Sequence, residues 1–121
     1  MKIRNGLLTI GILLAVMTLA CRADQASWYG KEHRGRLMAN GHRFDPDKLT
    51  AASWAYDLGT KVVVTHDGRS VLVEITDRGP AKRLVEQGRI IDLSRAAFAK
   101  LAPLELGLID VTVKKQKGIE Q

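Results

Sequence analysis

The clearest alternation of apolar and polar positions lies in the middle of the chain. Thr60 to Thr65 (TKVVVT) and Ser70 to Thr76 (SVLVEIT) are rich in β-branched residues, and Asp67-Gly68 lies between them. β-branched residues favour strands, and an Asp-Gly pair accepts the positive φ angles of a tight hairpin turn. The pattern therefore predicts two antiparallel strands joined by a short turn.

The second of these strands ends in an acid. Side chains of a strand alternate between two faces, so Asp77 falls on the same face as the apolar residues Val71, Val73 and Ile75. Arg78-Gly79-Pro80 then ends the strand, because proline cannot donate to a ladder. Desolvation favours a protonated carboxyl, which a general acid requires, whereas a nearby arginine favours the carboxylate. The sequence leaves this balance open.

Shorter patterns flank the hairpin. Further strands are predicted at Ala26–Gly30, Arg89–Leu93 and Leu108–Val113. Ser94 is predicted to be the N-cap of a helix over Arg95–Leu101. Leu49–Tyr56 fits a strand or a helical turn, and Ala81–Gln87 fits a loop or one helical turn. Many short strands with little helix indicate a mainly β fold, a compact barrel whose closure removes exposed edges.

Three more segments complete the predicted loops and termini. Lys31–Arg36 is polar and contains a glycine, which predicts a loop, and Ala39-Asn40-Gly41 predicts a turn. Residues 1–23 resemble a secretory signal, with a short basic start and an apolar run that is too short for a typical membrane span. The expected organisation is thus a signal over 1–23, a barrel over 24–114 and a polar tail over 115–121.

Cys21, the single cysteine, allows two processing routes. The segment before it resembles a bacterial lipoprotein box, in which the cysteine becomes the acylated first residue. Cleavage after Ala23 would instead remove it, and both routes are compatible with the sequence. Either way the domain has no internal disulfide, so packing must stabilise it.

Charge and composition restrict the class of partner. The formal net charge of +6 falls to +4 for a mature chain that starts at Cys21, because Lys2 and Arg4 are then removed. A modest positive charge favours an anionic polymer, but a secretory signal and the lack of a basic helix argue against nucleic acid. His33 and His66 have no partners at metal-ligand spacing, so we expect no metal and no cofactor.

Seven blocks in one order resemble a known family. They are Ala26-Ser27-Trp28-Tyr29-Gly30, Gly35-Arg36, Ala39-Asn40-Gly41 with Phe44, Leu49-Thr50-Ala51-Ala52, Leu58-Gly59-Thr60, Asp77-Arg78-Gly79-Pro80 and Gly88-Arg89-Ile90-Ile91-Asp92-Leu93-Ser94. From Ala26 to Val113 the chain resembles the rare lipoprotein A family of septal-ring peptidoglycan lytic transglycosylases. The resemblance implies a six-stranded double-psi β-barrel with one or two short helices, and a shallow groove that holds a glycan strand.

The resemblance also implies roles for particular residues, and here the chain departs from the family. Catalytic members carry Glu, His and Asp where this chain has His42, Ser53 and Asp77. Only the aspartate is kept, so Asp77 is expected to be the sole acid/base. The expected substrate contacts are Tyr29, Asn40, His42, Ser53 and Arg78.

One carboxyl is enough for lytic transglycosylation. It protonates the glycosidic oxygen and then takes the proton of the C6 hydroxyl of the muramic sugar, which closes a 1,6-anhydro ring. Hydrolysis needs a second carboxylate, and Glu32, Asp45 and Asp92 offer no obvious partner in the sequence. Asp92 is interpreted as a cap of the helix after Ser94, and Asp77 has a structural interpretation too, as an acceptor for backbone N–H groups of its turn.

Two functions follow from these expectations. The first is a peptidoglycan lytic transglycosylase, secreted to the periplasm or lipid-anchored in the envelope through Cys21, and monomeric. The second is a non-catalytic glycan-binding barrel, which the replacements at His42 and Ser53 favour. Trp28, Tyr29 and Trp54 could provide a stacking surface for sugar rings or belong to the core; of these, Tyr29 is expected to line the groove.

Overall fold

The computed structural model describes residues 23–117, which form a closed six-stranded barrel. The strands are β1 (Asp24–Tyr29), β2 (Thr50–Ala52), β3 (Lys61–His66), β4 (Arg69–Asp77), β5 (Arg89–Ser94) and β6 (Leu108–Lys115). Their order around the barrel is β1, β5, β2, β4, β3 and β6, which closes on β1. The helices are α1 (Lys82–Glu86) and α2 (Arg95–Ala99), with 3-10 turns at Lys31–His33 and Leu104–Leu106. The predicted mainly β barrel with short helices is confirmed.

Two parallel strand pairs set this topology apart from a simple meander. β1 pairs with β5 in parallel, and β2 pairs with β4 in parallel, whereas β2–β5, β3–β4, β3–β6 and β1–β6 are antiparallel. Parallel neighbours need crossover connections rather than tight turns. The short β2 therefore lies between β4 and β5, two strands that are distant from it in sequence.

The core fills the barrel with the inward-facing residues of every strand. Val71, Val73 and Ile75 of β4 are all buried, as the period-2 pattern predicts. The same alternation buries the inward-facing residues of the neighbouring strands, and α2 adds the fully buried Phe98. The remaining members of this cluster include Val62, Val64, Ile91, Leu93, Ile109 and Val111. Because Phe98 belongs to the core cluster, α2 packs against the barrel interior.

The structure resolves the segments that the sequence left open. Within Leu49–Tyr56 only Thr50–Ala52 forms a strand, and Trp54 to Tyr56 form a bend. Ala81–Gln87 contains one short helix, α1. Lys31–Arg36, expected to be a loop, begins with a 3-10 turn. β6 extends to Lys115, one residue into the segment expected to be a tail.

The predicted helix cap is confirmed, because the Ser94 hydroxyl accepts a hydrogen bond from the Ala97 N–H at 3.2 Å. Cys21 and almost all of the expected signal lie outside the described residues. Within residues 23–117, no helix has both the length and the apolar character needed to cross a membrane.

Candidate active site

Strand pairing brings two acids to opposite sides of one alanine. Ala52 of β2 is the register partner of Asp77 on β4 and also of Asp92 on β5. Neighbouring strands lie about 4.8 Å apart, so the backbones of the two acids are separated by about twice that distance. Ala52 has a small side chain, which leaves space between them. The space is a cleft of about 280 Å³, lined by Tyr29, Ala52, Asp77, Arg78 and Asp92, with His33 and Arg36 also present.

Asp77 is held by backbone donors. Its Oδ1 atom accepts hydrogen bonds from the N–H of Arg78 at 2.8 Å and from the N–H of Ala39 at 3.0 Å. Ala39 belongs to the predicted turn, which is attached to β4 by an Asn40 N–H donating to the Thr76 carbonyl at 3.1 Å. Asp77 therefore accepts backbone N–H groups, as its structural interpretation predicts, but through only one of its two carboxylate oxygens. Among residues 23–117, both hydrogen bonds to this carboxylate go to Oδ1, and the side chain is half-buried at the cleft.

Asp92 is held by side chains instead. The Ser27 hydroxyl donates to Asp92 Oδ1, and the guanidinium of Arg89 donates to the same oxygen at 3.2 Å. The interpretation of Asp92 as a helix cap is wrong, because the Ser94 hydroxyl caps α2 and the Asp92 carboxylate faces the cleft. The alternation of Ile91 and Leu93 already placed Asp92 on the opposite face of β5. The residues that surround Asp92 on that face depend on how β5 pairs with β1 and β2.

Tyr29 connects the two acids electrostatically. Its ring stacks on Phe44 with centroids 4.4 Å apart, and its hydroxyl is buried without a hydrogen-bond partner among residues 23–117. Burial, and then the negative charges of Asp77 and Asp92, raise the pKa of the Tyr29 phenol well above its ordinary value. Tyr29 therefore stays a neutral O–H donor in the cleft, close to both carboxylates.

Arg78 lines the cleft but uses its guanidinium for support. Nη1 donates to the backbone carbonyls of Ser53 at 2.7 Å and Tyr56 at 2.6 Å. These bonds hold the segment 53–56, hereafter the Ser53 loop, against the strand end that carries Asp77. One residue later, Gly79 has a φ of 156°, and a side chain there would lie 3.7 Å from Asp92 Oδ2. The turn after Asp77 therefore approaches both the loop and the second acid.

The other expected substrate contacts do not enter the cleft. Ser53 is only 1% exposed, and its hydroxyl accepts from the Ala55 N–H at 3.0 Å. Asn40 and His42 line an adjoining groove of about 600 Å³ that shares Met38 with the cleft. Asn40 Oδ1 accepts from the backbone N–H of His42 at 2.9 Å, and the His42 side chain is exposed. The cleft thus unites Tyr29, Asp77 and Arg78 from the predicted set.

The two tryptophans differ in exposure. Trp28 packs near Phe98, with ring centroids 6.3 Å apart, and its indole N–H donates to the Leu104 carbonyl at 3.0 Å. Trp28 is therefore half-buried against the core, whereas Trp54 is 46% exposed. Between residues 23 and 117, no group of three or more His, Cys, Asp or Glu side chains is placed to hold a metal ion.

Proteins of known name resemble this chain in sequence. The endolytic peptidoglycan transglycosylase RlpA of Vibrio cholerae is 39% identical over 94 residues, which cover 76% of this chain and 34% of that protein. A probable transglycosylase of the same name from Synechocystis is 50% identical over 74 residues, which cover 60% and 22%. The Pseudomonas aeruginosa protein of that name is 42% identical over 91 residues, which cover 74% and 26%. The chain spans about a third or less of these three relatives.

Solved structures agree with the fold. A Streptomyces papain inhibitor superposes with a TM-score of 0.64 and 28% identity, covering 79% of this chain and 94% of that protein. The apo expansin of Clavibacter michiganensis superposes with a TM-score of 0.60 and 22% identity, covering 81% and 51%. The second likeness supports the barrel fold alone.

A double-psi β-barrel family model, described as lytic transglycolase, matches residues 22–113. This range contains every strand that lines the cleft. All seven family-like blocks of the sequence also lie inside it. The resemblance to the rare lipoprotein A family is confirmed by the named relatives. The chain belongs to the lytic transglycolase family of double-psi β-barrel proteins.

Proposed function

We propose that this domain is an endolytic peptidoglycan transglycosylase that cleaves glycan strands between N-acetylmuramic acid and N-acetylglucosamine. The observation that carries the proposal is Asp77, the kept family acid, fixed at the cleft through one carboxylate oxygen. The names of the sequence relatives support peptidoglycan as the substrate. The product expected from this chemistry ends in a 1,6-anhydro sugar.

Asp77 can act as acid and then as base. Because Oδ1 accepts two backbone N–H groups, the transferable proton is best placed on Oδ2. Transfer of this proton to the glycosidic oxygen releases the leaving sugar and leaves positive charge at C1 of the muramic residue. The resulting carboxylate takes the C6 hydroxyl proton while O6 bonds to C1. The proton returns to Asp77, so the cycle balances without a water molecule.

Asp92 and Tyr29 supply the surroundings for that step. Ser27 and Arg89 keep Asp92 in place as an acceptor, and a fixed negative charge stabilises an oxocarbenium-like centre. Tyr29 presents a neutral hydroxyl that can donate to a sugar oxygen, and its raised pKa prevents it from competing as an anion. Asp92 would be an electrostatic partner of Asp77 rather than a second acid.

The test is mass spectrometry of soluble products from peptidoglycan and from amidase-stripped glycan strands. Wild type is expected to release anhydro-ended fragments, and Asp77→Asn to lose about 10²- to 10⁴-fold of that rate, the usual contribution of general acid–base catalysis. Asp110→Asn is the matched control, because Asp110 is an exposed acid on β6. Products of equal yield from Asp77→Asn would contradict the proposal.

A second candidate is a barrel that binds glycan without cutting it. The observation that favours it is the placement of Ser53, which replaces the family histidine, buried outside the cleft. His42 likewise faces the adjoining groove instead of supplying a carboxylate. His42→Glu distinguishes the candidates. A large gain from an undetectable start supports the binding barrel, whereas little change from an active start supports the enzyme.

We also propose that the domain works outside the cytoplasm as a monomer. The signal-like residues 1–23 and the peptidoglycan named in its relatives support this location. Anchoring through Cys21 is the finer proposal. Metabolic labelling with palmitate tests it: label in wild type that disappears in Cys21→Ala supports the anchor, and an unlabelled soluble product supports cleavage after Ala23.

A further inference from the structure

Trp54 is an exposed aromatic ring that is nonetheless fixed in orientation. Its indole N–H donates to the Pro80 carbonyl at 2.7 Å, and the Lys82 ammonium lies 4.7 Å from the ring centroid. The ring is still 46% exposed. Cation–π contact and a hydrogen bond at the ring edge together restrict rotation, so little conformational entropy is lost when a ligand packs on the remaining surface.

A groove adjoins this ring. It has a volume of about 400 Å³, and its walls come mainly from Trp54, Tyr56, Val85, Ile90 and Val113. The groove is within the size range of ligand-binding clefts, and its lining is predominantly apolar. The half-buried Tyr56, Ile90 and Val113 also pack against the core, which makes the floor rigid.

The groove and the cleft are separate cavities that adjoin across the Ser53 loop, because Ala52 lines the cleft and the next residue, Ser53, lines the groove. Arg78 lines the cleft, and its guanidinium holds the carbonyls of Ser53 and Tyr56, which both line the groove. Trp54 lies between these two residues and bonds to Pro80, three residues after Asp77. These contacts place the Trp54 ring beside the turn that carries Asp77, on the side of the Ser53 loop that faces the groove.

We propose that Trp54 is a stacking platform for one pyranose ring of the glycan strand, in a subsite outside the cleft. The C–H face of a pyranose is apolar and packs on a flat aromatic ring, while its hydroxyl groups remain in water. A polymeric glycan presents such rings at regular intervals, so one strand can occupy the cleft and the groove together. The proposal rests on the proposed glycan substrate and names where a second ring binds.

Binding is measured in the Asp77→Asn background, so that turnover does not consume the probe. Isothermal titration with amidase-stripped glycan strands is expected to show about tenfold weaker binding for Trp54→Ala, which corresponds to one good aromatic contact. Trp54→Phe keeps a flat ring and is expected to retain most of the affinity. Leu106→Ala is the control for loss of exposed apolar surface, because Leu106 is 58% exposed and lies on another element.

Fluorescence adds a readout that a folding defect would not produce. Strands are expected to change the indole emission of the Trp54-containing protein, and this change is expected to vanish in Trp54→Phe although calorimetry still detects binding. The remaining emission comes from Trp28, which is half-buried against the core.

The outcomes separate this subsite from the activity itself. Unchanged affinity in Trp54→Ala, with anhydro products from wild type, overturns the subsite alone. Trp54-dependent binding without any product from wild type supports the subsite and overturns the activity. Unchanged glycan affinity together with self-association that Trp54→Ala abolishes assigns the groove to a second copy of the chain and overturns the proposal.

Discussion

The turn after Asp77 and the Ser53 loop lie against each other but serve the site differently. The turn keeps the family residues Asp77-Arg78-Gly79-Pro80 and faces the cleft. The loop carries Ser53, where the family resemblance implies a histidine, and it faces a separate groove. Arg78 is the link, through two carbonyls of the loop. The comparison teaches that the loop supports the turn of Asp77 through backbone carbonyls. The side chains of the loop can therefore differ without disturbing Asp77.

Arg78→Ala removes the hydrogen bonds between the turn and the loop, and we expect it to have the largest effect on stability. Arg78→Ala deletes two hydrogen bonds of 2.6 and 2.7 Å from a charged donor. Such bonds contribute about 1.5–3 kcal/mol each, and because Arg78 is half-exposed we expect a total loss of about 3 kcal/mol in the free energy of unfolding. Urea denaturation of wild type and variant measures it. We also expect lower activity, since the loop no longer braces the turn.

The matched control is Arg83→Ala, an exposed arginine on α1. Surface substitutions of this kind usually change stability by less than about 0.5 kcal/mol. If Arg78→Ala is no less stable than Arg83→Ala, the two carbonyl contacts do not fasten the loop, and the division of roles between turn and loop is wrong.

Restoring the family histidine tests the loop from the other side. Ser53 is 1% exposed, so Ser53→His must place a larger ring in filled space, which costs about 1–3 kcal/mol. It also removes the acceptor of the Ala55 N–H. We expect a loss of about 2 kcal/mol in urea denaturation and no gain in product formation.

Ser53→Ala separates the two effects. It removes only the hydroxyl, so its cost is expected to be about 1 kcal/mol. A Ser53→His protein as stable as wild type, with faster release of anhydro products, would show that this loop can turn toward the cleft and supply a catalytic group.

The barrel wall was the part that the sequence predicted best. β-branched runs and Asp67-Gly68 identified β3 and β4, and period-2 alternation placed Asp77 at the end of β4. These signals are local, because a hairpin is fixed by its own turn. The kept turn residues and the family blocks then indicated the acid.

The cleft was harder to predict because non-local pairing builds it. Asp92 lies far along the chain from Asp77, and only the insertion of β2 between β4 and β5 brings them to either side of Ala52. Its interpretation as a helix cap depended on the nearby α2 alone. The burial of Ser53 had no sequence signal either, since its backbone bonds to residues distant along the chain, the Arg78 guanidinium and the Asp77 carbonyl.

Tyr29→Phe tests the electrostatic link between the acids with the smallest change. At neutral pH the variant loses a buried hydroxyl without a partner among residues 23–117, so its stability is expected to equal that of wild type or exceed it by up to about 1 kcal/mol. Activity is expected to fall if the hydroxyl donates to a sugar. Urea denaturation and product assays at pH 7 measure the two effects.

The same variant predicts a pH dependence. The pKa of Tyr29 is raised above the ordinary value of 10.0 by burial and then by the charges of Asp77 and Asp92. The Tyr29 phenol therefore ionises at a lower pH in the unfolded chain than in the folded domain. Its contribution to the free energy of unfolding is complete below pH 10 and is lost as the pH rises above 10, at up to about 1.4 kcal/mol per pH unit. Wild type should therefore lose more stability than Tyr29→Phe between pH 9 and 11. Tyr56→Phe, beside the other groove, is the control. Equal losses for wild type and Tyr29→Phe would show that the Tyr29 phenol is neither desolvated nor affected by the two carboxylates.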